Sequence, residues 1–465
     1  MSFSDTRFIF IFLPLFLIAY GVTTGVWRTA VLLAGSFVFY YLGAGPAGTV
    51  LFACTLCLNY GSARWIGHCR DRGGRGKGVL ILALLLDFGL LFWFKYIDFF
   101  LSAVHLALPQ RSALEETVLP LGISFYTFQL ASCLLDVYRG EVYAERNFLR
   151  FAGLIAAFPK IVSGPLVRQK TFGPELKKPG FSREKLEDGF TWFVVGLGLK
   201  VLIADALAPV WAEIRTIGYE SISTPLAWLG ALSYSLQLYF DFHGYSMMAL
   251  GLGEMLGLTI PRNFVFPYTA RSVSEFWRRW HVTLGAWFRD YIYIPLGGSR
   301  NGRFRMVLSL FTVWLLTGLW HGAGWNFLLW GMVHFVLILL EKLFLSRPLK
   351  KSKVLSRLYL CFVIPQTWVI FAVEEPGGIR GYFSRLYPFF SEAEGTVYPL
   401  DYVNLLRGLW PVLLAGIFLC LPFAERFIEK KKGRFYVVIL LLVIFWASVY
   451  AILKNGGNPF MYVQF

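Results

Sequence analysis

The chain has 465 residues, of which 57% are hydrophobic and only 15% are charged, whereas a soluble domain carries about 25% charged residues. The 45 Phe, 23 Tyr and 16 Trp residues present more apolar surface than globular cores could bury, which excludes a series of soluble domains. The formal net charge of +16 lies mostly in short loops between apolar runs. This pattern is typical of a membrane protein and argues against nucleic-acid binding.

Apolar runs near the N-terminus predict membrane-spanning helices, which need about 20 mostly apolar residues each. Residues 8–26 are interpreted as a retained helix rather than a cleaved signal peptide, because no cleavage site with a polar region follows them. Runs at 29–42 and 49–66 come next, joined by turn-forming residues at 43–46. The following loop is strongly basic, so we expect it to face the cytoplasm. Its basic residues are Arg64, Arg70, Arg72, Arg75 and Lys77.

The next part of the chain predicts two further spans and one interrupted segment. Runs at 79–100 and 122–137 enclose a loop that carries Arg111, Glu115 and Glu116. Residues 148–163 are apolar but few, and a basic segment follows them. If both flanks are cytoplasmic, this run must be re-entrant, and such broken backbone is tolerated at membrane depth only around protein or a cavity.

The C-terminal half continues the alternation of apolar runs and charged loops. The runs are 190–211, 226–258, 306–320, 325–340, 358–373, 406–423 and 435–453. The loops at 342–357 and 426–434 are basic, whereas the loop at 374–401, with Glu392 and Glu394, is net acidic. These charges predict an all-α integral membrane protein with about 10 to 12 transmembrane helices, re-entrant segments and both termini outside. We expect one polytopic membrane domain over residues 1–465.

Two short patterns are interpreted as structural. Gly253 and Gly257 form a GxxxG pattern, which is typical of helix packing, and their spacing does not fit a dinucleotide-binding loop. Cys54 and Cys57 form a CxxC pair, followed by His68 and Cys69. The pair lies in an apolar run, where buried cysteines are common, so we expect no metal site.

Six histidines are the candidates for polar chemistry. We expect His68 and His105 to lie in solvent or at the membrane interface. His334 sits in an apolar run and is interpreted as a hydrogen-bonded packing residue. His243, beside Asp241, is either a structural pair with that carboxylate or a functional group, and the sequence leaves both open.

His281 lies in a segment rich in tryptophan and arginine. Apolar residues recur every three or four positions, which predicts one helical apolar face. These residues are Trp277, Trp280, Leu284, Trp287 and Tyr291, and the arginines are Arg271, Arg278, Arg279 and Arg289. Glu275 is placed to pair with Arg279 one turn later. Two interpretations stay open: an interfacial amphipathic helix, or a site for the phosphates of a carrier such as coenzyme A or phosphopantetheine.

His321 lies in a glycine-flanked turn after the apolar run 306–320. A helix of these 15 residues would span only about 22 Å, so we expect the turn to lie within the membrane. A histidine at bilayer depth is energetically costly, so it is a candidate functional residue by default. A helix-capping role remains an alternative. An imidazole that titrates near neutrality suits the general base for an alcohol attacking a thioester.

Several strings resemble the membrane-bound O-acyltransferases, and specifically their bacterial alginate O-acetylation branch. The two most specific are FWRRWHVTLGAWFR at 276–289, followed by DYIYIPLGGSR, and GLWHGAGWNF at 318–327. Supporting strings are LGISFYTFQLASCLLDVYRG at 121–140, FPKIVSGPLVR at 158–168, YFDFHGYS at 239–246 and NPFMYVQF at the C-terminus. The resemblance covers nearly the full length.

This resemblance implies a funnel-shaped fold with a cytoplasmic recess and acyl transfer across the bilayer. It assigns the catalytic histidine to His321 and the second motif histidine to His281, with Trp320, Asn326 and Asp241 in supporting positions. One string departs from the family pattern FDFSGYSDMA. The first serine of the pattern is replaced by His243 and the second aspartate by Met247. We expect these two changes to affect the identity of the acceptor or a partner surface more than catalysis.

The resulting prediction is an O-acetyltransferase of the bacterial inner membrane that passes acetyl groups toward an extracytoplasmic polysaccharide such as alginate. Acetyl-CoA or an acyl-carrier thioester is the expected donor, and no tightly bound cofactor is expected. The resemblance also implies a periplasmic acetyltransferase partner. Two alternatives are a lipid or teichoic-acid acyltransferase of the same family and a secondary transporter, for which inverted repeats would be expected.

Overall fold

The computed structural model of the protein describes residues 1–104, 119–389, 396–456 and 460–461. Within these ranges every regular element is a helix, which confirms the predicted all-α membrane fold. Two compact units divide the chain: Met1–Phe193 with Tyr245–Pro261, and Val194–Gly244 with Arg262–Met461. The expectation of one domain over 1–465 stays a prediction. Predictions on the following residues lie outside the described ranges: His105, Arg111, Glu115, Glu116, Glu392 and Glu394.

The first unit begins with a π-helical turn at Phe8–Phe12 and a short helix. Its helices are α1 (Leu13–Val22), α2 (Gly25–Asp71), α3 (Lys77–Lys95), α4 (Ile97–Ala103), α5 (Ile123–Arg139), α6 (Phe148–Ala156), α7 (Phe158–Ile161) and α8 (Gln169–Lys177). The two runs predicted at 29–42 and 49–66 are joined in α2. Gly45 has φ 71° and ψ −178° there and Pro46 follows it, so the turn-forming residues kink this helix rather than end it.

The predicted interrupted segment is indeed broken. α6 ends at Ala156 and α7 begins at Phe158, because Ala157 has the non-helical angles φ −48° and ψ 116°. Residues 151–165 are all buried, so the free backbone groups at the break are enclosed by protein, as irregular backbone in a membrane protein must be. The re-entrant course of this segment stays a prediction.

The remaining helices belong to the second unit, except that two of them cross the boundary between the units. These two are the first and the third helix in the following order. In order, these helices are α9 (Arg183–Gly198), α10 (Asp205–Ile217), α11 (Thr224–Met255), α12 (Val273–Arg279), α13 (Val282–Phe288), α14 (Gly302–His321), α15 (Trp325–Leu340), α16 (Ser346–Lys351), α17 (Lys353–Ala372), α18 (Pro376–Leu386), α19 (Asp401–Leu419), α20 (Phe423–Lys431) and α21 (Phe435–Asn455). π-helical turns continue α9, α13 and α15 at Leu199–Ala204, Arg289–Tyr293 and Glu341–Leu345.

Eight helical segments in the described part of the chain are long and apolar enough to cross a membrane. They are Gly25–Asp71, Lys77–Lys95, Arg183–Ile217, Gly302–His321, Trp325–Lys351, Lys353–Ala372, Asp401–Leu419 and Phe435–Lys454. The protein is therefore a multi-pass integral membrane protein, with fewer candidate spans than the 10 to 12 predicted. Merging of two runs in α2 accounts for part of the difference. α5 and α11 are buried almost throughout, so protein rather than lipid surrounds their side chains.

Two local predictions are wrong. α14 begins at Gly302 rather than at residue 306 and has 20 residues, or about 30 Å, so the predicted short helix is wrong. The position of the turn at His321 relative to the membrane stays a prediction. The Gly253–Gly257 pattern is not a helix-packing face, because Gly257 follows the end of α11 with φ +70°. The close approach uses Gly251, where an added Cβ would lie 2.5 Å from the carbonyl oxygen of Gly189.

Glycines also set the distance between α14 and α15. A Cβ added at Gly331 would lie 2.5 Å from the carbonyl oxygen of Trp314, and one added at Gly318 would lie 2.5 Å from that of Phe327. Because the nearest atoms are backbone, they cannot move aside as a flexible side chain would. The two helices therefore pack at a distance that only glycine permits at these positions.

We predict that Gly331→Ala destabilises the protein, since overpacking of this kind costs about 1 to 3 kcal/mol. Gly408→Ala is the matched control, because Gly408 lies in α19 with no atom within 4 Å of an added Cβ. Thermal unfolding of both variants in detergent measures the effect. Equal midpoints for Gly331→Ala and the wild type would contradict the packing argument.

Candidate active site

A short backbone pairing holds the segment around His281. The amide of Val282 donates to the carbonyl of Asn263 at 2.9 Å, and the amide of Val265 donates to the carbonyl of Arg279 at 2.9 Å. Between these bonds His281 adopts φ 46° and ψ 52°, the left-handed region that non-glycine residues enter at a cost of about 1 kcal/mol or more. Only Phe266 shares this feature among the non-glycine residues that the structure describes.

The left-handed residue breaks the predicted apolar helix into two. α12 ends at Arg279 and α13 begins at Val282, so the expectation of one continuous helical face from Trp277 to Tyr291 is wrong. Spacings of three and four positions cannot reveal such a break, because they are equally compatible with two short helices. The break turns His281 inward, where the residue is 3% exposed.

The amide side chain of Asn263 fixes the tautomer of His281. The backbone amide of Thr283 donates to Asn263 Oδ1 at 3.2 Å and its hydroxyl lies 2.9 Å from the same atom. Because a backbone N–H can only donate, this atom is the amide oxygen. His281 Nδ1 lies 3.2 Å from it and must therefore donate, which leaves Nε2 as the basic nitrogen. Burial lowers the pKa of His281 to about 3, so the imidazole is neutral at pH 7.

The N-terminus of α12 is anchored from two directions. Ser272 Oγ accepts a hydrogen bond from the amide of Glu275 at 3.0 Å, a side-chain N-cap. The buried carboxylate of Glu341 accepts from the amides of Val273 and Ser274, where a negative charge also meets the positive end of the helix. Nothing in the sequence near α12 points to Glu341, which lies 68 and 67 positions after the two residues whose amides it accepts from.

His321 is the last residue of α14 and is 4% exposed. Its ring packs edge-on against Trp330 at 4.9 Å and Phe371 at 5.3 Å between centroids. Trp320 contacts both histidines, with centroid distances of 4.9 Å to His321 and 5.8 Å to His281. The predicted supporting tryptophan thus lies against both imidazoles.

Both histidines line a single cavity of about 410 Å³. Its walls come from α12, the break at His281, α13 and the π-helical turn that follows it, and α14. They are mainly aromatic and aliphatic, and among the polar lining residues are Ser274, Thr317, Arg278 and Arg289. The cavity therefore combines buried imidazoles with apolar walls, an arrangement typical of small-molecule sites.

The four predicted arginines divide into two pairs. Arg278 and Arg289 line the cavity, and both are exposed. Arg279 instead pairs with Glu275 one turn earlier, as predicted, and donates to Thr269 Oγ1 at 2.7 Å. Arg271 is exposed and is not a lining residue of this cavity. Arg278 and Arg279 are neighbours in α12, so their side chains point in different directions and only one of them reaches the cavity.

Asp241 and Asn326 lie in structural networks rather than in the cavity wall. The buried ammonium of Lys200 pairs with both Asp205 and Asp241, the latter at 3.3 Å, and the amide of Met461 donates to Asp241 Oδ2 at 2.9 Å. Asn326 is buried and its Nδ2 donates to the carbonyl of Phe371 at 2.8 Å. It therefore ties the start of α15 to the end of α17.

The remaining buried histidines have structural partners. His334 Nδ1 donates to the carbonyl of Trp330 at 2.9 Å, which supports the predicted packing role. His243 Nε2 lies 2.9 Å from Glu425 Oε1, so the predicted alternative of a pair with Asp241 is wrong. Residues two apart on a helix do not face each other, and Glu425 is 182 positions away, beyond any local sequence signal.

The sequence of this chain is similar to those of known acyltransferases. The model of MBOAT, the membrane-bound O-acyltransferase family, matches residues 144–372, which include both cavity histidines. The probable alginate O-acetylase AlgI of Azotobacter vinelandii is 38% identical over 100% of both chains. The peptidoglycan O-acetyltransferase of Helicobacter pylori is 31% identical over 80% of this chain and 77% of its own. The teichoic acid D-alanyltransferase of Bacillus subtilis is 30% identical over 47% of this chain and 58% of its own.

The chain belongs to the membrane-bound O-acyltransferase family. It is therefore an O-acyltransferase, and its activity requires groups that can receive a proton from a hydroxyl and hold an acyl donor. The cavity supplies candidates for both tasks in its two buried imidazoles and its two exposed guanidinium groups. In the described part of the chain, no group of three or more His, Cys, Asp or Glu side chains is arranged to hold a metal ion.

The buried neutral His281 predicts a specific pH dependence of stability. Its pKa of about 3 in the folded protein lies below the usual value of about 6.5, so below pH 6.5 the unfolded chain binds a proton that the folded protein does not. Stability therefore falls as the pH decreases, with this group contributing about 2 kcal/mol of loss between pH 7 and pH 5. Unfolding in detergent at both pH values measures it.

His281→Asn removes the titrating group while keeping a residue that tolerates left-handed backbone. We expect this variant to lose about 2 kcal/mol less than the wild type over the same pH interval. His68→Gln controls for the loss of an imidazole at an exposed position. An identical pH dependence in the wild type and His281→Asn would show that His281 does not resist protonation.

Proposed function

We propose that the protein is an O-acetyltransferase of the bacterial inner membrane that moves acetyl groups from a cytoplasmic thioester toward hydroxyls of an extracytoplasmic polysaccharide. The observation that carries this proposal is the single cavity lined by His281 and His321. Relatives of this chain include alginate O-acetylases over its whole length and a peptidoglycan O-acetyltransferase over most of it. Both acceptors are glycans outside the cytoplasmic membrane, which supports a polysaccharide acceptor here.

In the proposed reaction His321 acts as general base. Its imidazole accepts the proton of the acceptor hydroxyl while the hydroxyl oxygen attacks the thioester carbonyl. A carbon–oxygen bond forms, the carbon–sulfur bond breaks, and the thiolate that leaves takes the proton from the imidazolium.

His281 is proposed to orient the donor or the acceptor. Its Nδ1–H is committed to Asn263, so its Nε2 can accept a hydrogen bond from a hydroxyl without changing tautomer. A neutral imidazole suits this task because it presents a lone pair rather than a proton. Holding the hydroxyl in one orientation lowers the entropic part of the barrier.

Arg278 and Arg289 are proposed to bind the phosphates of the donor, acetyl-CoA or an acyl-carrier thioester. Guanidinium groups form paired, charge-assisted hydrogen bonds to phosphate. Both side chains are exposed at the cavity that holds the histidines, which places phosphate-binding groups beside the proposed site of the thioester. Arg289 is paired with Asp290 at 2.7 Å and 3.1 Å, so a phosphate there shares or displaces that carboxylate. A periplasmic acetyltransferase partner, which the family resemblance implies, would complete transfer to the glycan.

A second candidate is transfer to teichoic acid or a lipid. The observation in its favour is the similarity to a teichoic acid D-alanyltransferase, which covers 47% of this chain. Both reactions use the same two histidines in this proposal and differ in acceptor and acyl group. The two reactions are distinguished by measuring which acceptor loses acyl groups when the protein is inactivated.

We predict that His321→Ala lowers acyl transfer by at least 100-fold, the scale of a lost general base. The measurement is transfer of labelled acetyl groups from acetyl-CoA in membranes, together with O-acetyl content of the surface polysaccharides of a deletion strain that expresses the variant. His334→Ala is the matched control, since it removes a buried histidine from the same helical hairpin outside the cavity lining. Wild-type transfer by folded His321→Ala would eliminate His321 as the base.

Neutralising both cavity arginines tests the donor site. Arg278→Gln/Arg289→Gln is expected to raise KM for the acetyl donor about tenfold with a smaller effect on kcat, because donor phosphates are bound equally before and during transfer. Arg303→Gln/Arg347→Gln removes the same charge from exposed positions elsewhere and serves as control. An unchanged KM in the cavity variant would refute phosphate binding by these arginines.

A further inference from the structure

The first unit contains a second pocket that shares no residue with the histidine cavity. Its volume is about 670 Å³. It lies at the C-terminal end of α2, beside the segment 142–150 and one face of α8. Six arginine or lysine side chains line it, together with His68, against the two carboxylates of Asp71 and Glu145. The six are Arg64, Arg70, Arg146, Arg150, Lys170 and Lys177.

Specific contacts hold the walls of this basic pocket in place. Arg70 Nη1 donates to the carbonyls of Val137 at 2.9 Å and Val142 at 3.3 Å. Gln169 Nε2 donates to the carbonyl of Tyr143 at 2.8 Å, which joins α8 to the same segment. A Cβ added at Gly67 would lie 2.8 Å from the Cβ of Ala144, so α2 also packs closely there. The pocket is therefore preformed by three parts of the chain.

Two of the six cations are already engaged. Arg70 makes the carbonyl contacts above and lies over the ring of Tyr143 at 5.3 Å, and Arg150 lies 3.6 Å from Glu145. Arg64, Arg146, Lys170 and Lys177, all exposed, make no ion pair to a carboxylate in the described part of the chain. The carboxylate of Asp71 lines the same pocket, so these four cations are in excess over the protein anions there. This excess of positive charge favours an anionic ligand with more than one charge or oxygen acceptor.

The surroundings of the pocket favour a ligand at the membrane surface. α2 is one of the helices long and apolar enough to span a bilayer, and the pocket lies at its polar end. Trp65, beside Arg64, is 61% exposed, and Tyr143 is 79% exposed. Exposed Trp and Tyr next to basic residues are typical of the membrane interface, where basic pockets between helices bind lipid headgroups.

We infer that this basic pocket binds a phosphate-bearing anion, namely the headgroup of an anionic phospholipid in the leaflet that surrounds the end of α2. The phosphate oxygens are contacted by Lys170 and Lys177, which lie two turns apart on α8, and by Arg64 and Arg146 on the other walls of the pocket. This site lies outside the proposed acyl-transfer cavity and does not depend on that assignment. It gives the enzyme a higher affinity for anionic lipid than the positive charge of its loops alone would give.

The test uses the purified, delipidated full-length protein in neutral detergent. Native mass spectrometry measures binding of phosphatidylglycerol, with phosphatidylcholine as the zwitterionic comparison. We expect preferential binding of phosphatidylglycerol by the wild type, and at least about tenfold weaker binding by Lys170→Gln/Lys177→Gln, given the contribution of each basic residue near a membrane surface. Lys350→Gln/Lys351→Gln at the exposed end of α16 removes the same charge elsewhere and should bind like the wild type.

Further arms separate the possible sources of phosphate. Arg64→Gln/Arg146→Gln removes cations from the opposite walls and is expected to weaken lipid binding to a similar extent, which guards against a local folding defect in α8. Coenzyme A, a soluble phosphate ester, is not expected to displace the lipid at millimolar concentration. Equal lipid binding by the pocket variants and the control would overturn the site. Displacement by coenzyme A with the same charge dependence would overturn the lipid assignment.

Discussion

One residue in left-handed backbone conformation determines the geometry of the candidate active site. His281 lies in the break between α12, which ends at Arg279, and α13, which begins at Val282. Without that break, helical periodicity would set the direction of its side chain. The conformation is unfavourable for an isolated residue, so the surrounding bonds must hold it. Asn263 supplies them through its backbone carbonyl to Val282 and its side-chain oxygen to His281 and Thr283. Strain of this kind persists where the structure over-determines it, which is frequently at functional sites.

The second histidine reaches the same cavity through packing rather than through a special backbone. Gly318 and Gly331 allow α14 and α15 to approach closely, and large aromatic rings fill the space around them. Trp277 lies 5.1 Å from Trp314 and 5.4 Å from Trp330, and Trp280 lies 5.0 Å from Trp368. Contacts between such rings add to the burial of their surface. The end of α14, and with it His321, is therefore held on a rigid support.

The sequence predicted the parts of the site that local strings carry. It identified a membrane protein, both cavity histidines and two of the arginines that line the cavity, because these residues lie in short, distinctive segments. The sequence did not predict contacts between residues that lie far apart along the chain. Asn263 lies 18 positions before His281, and Glu425 lies 182 positions after His243. Apolar periodicity also missed the break at His281 and placed the start of α14 four residues late, since helix ends depend on caps and tertiary contacts rather than on hydropathy.

Trp320 has a consequence for how the two histidines behave together. Its indole packs against both imidazoles, so neither ring can change its χ angles by a large amount without displacing the indole and, through it, the other ring. In a densely packed interior such neighbours move between discrete arrangements rather than independently. The two imidazoles are therefore coupled mechanically, and the energetic effects of replacing them singly will not add to the effect of replacing both.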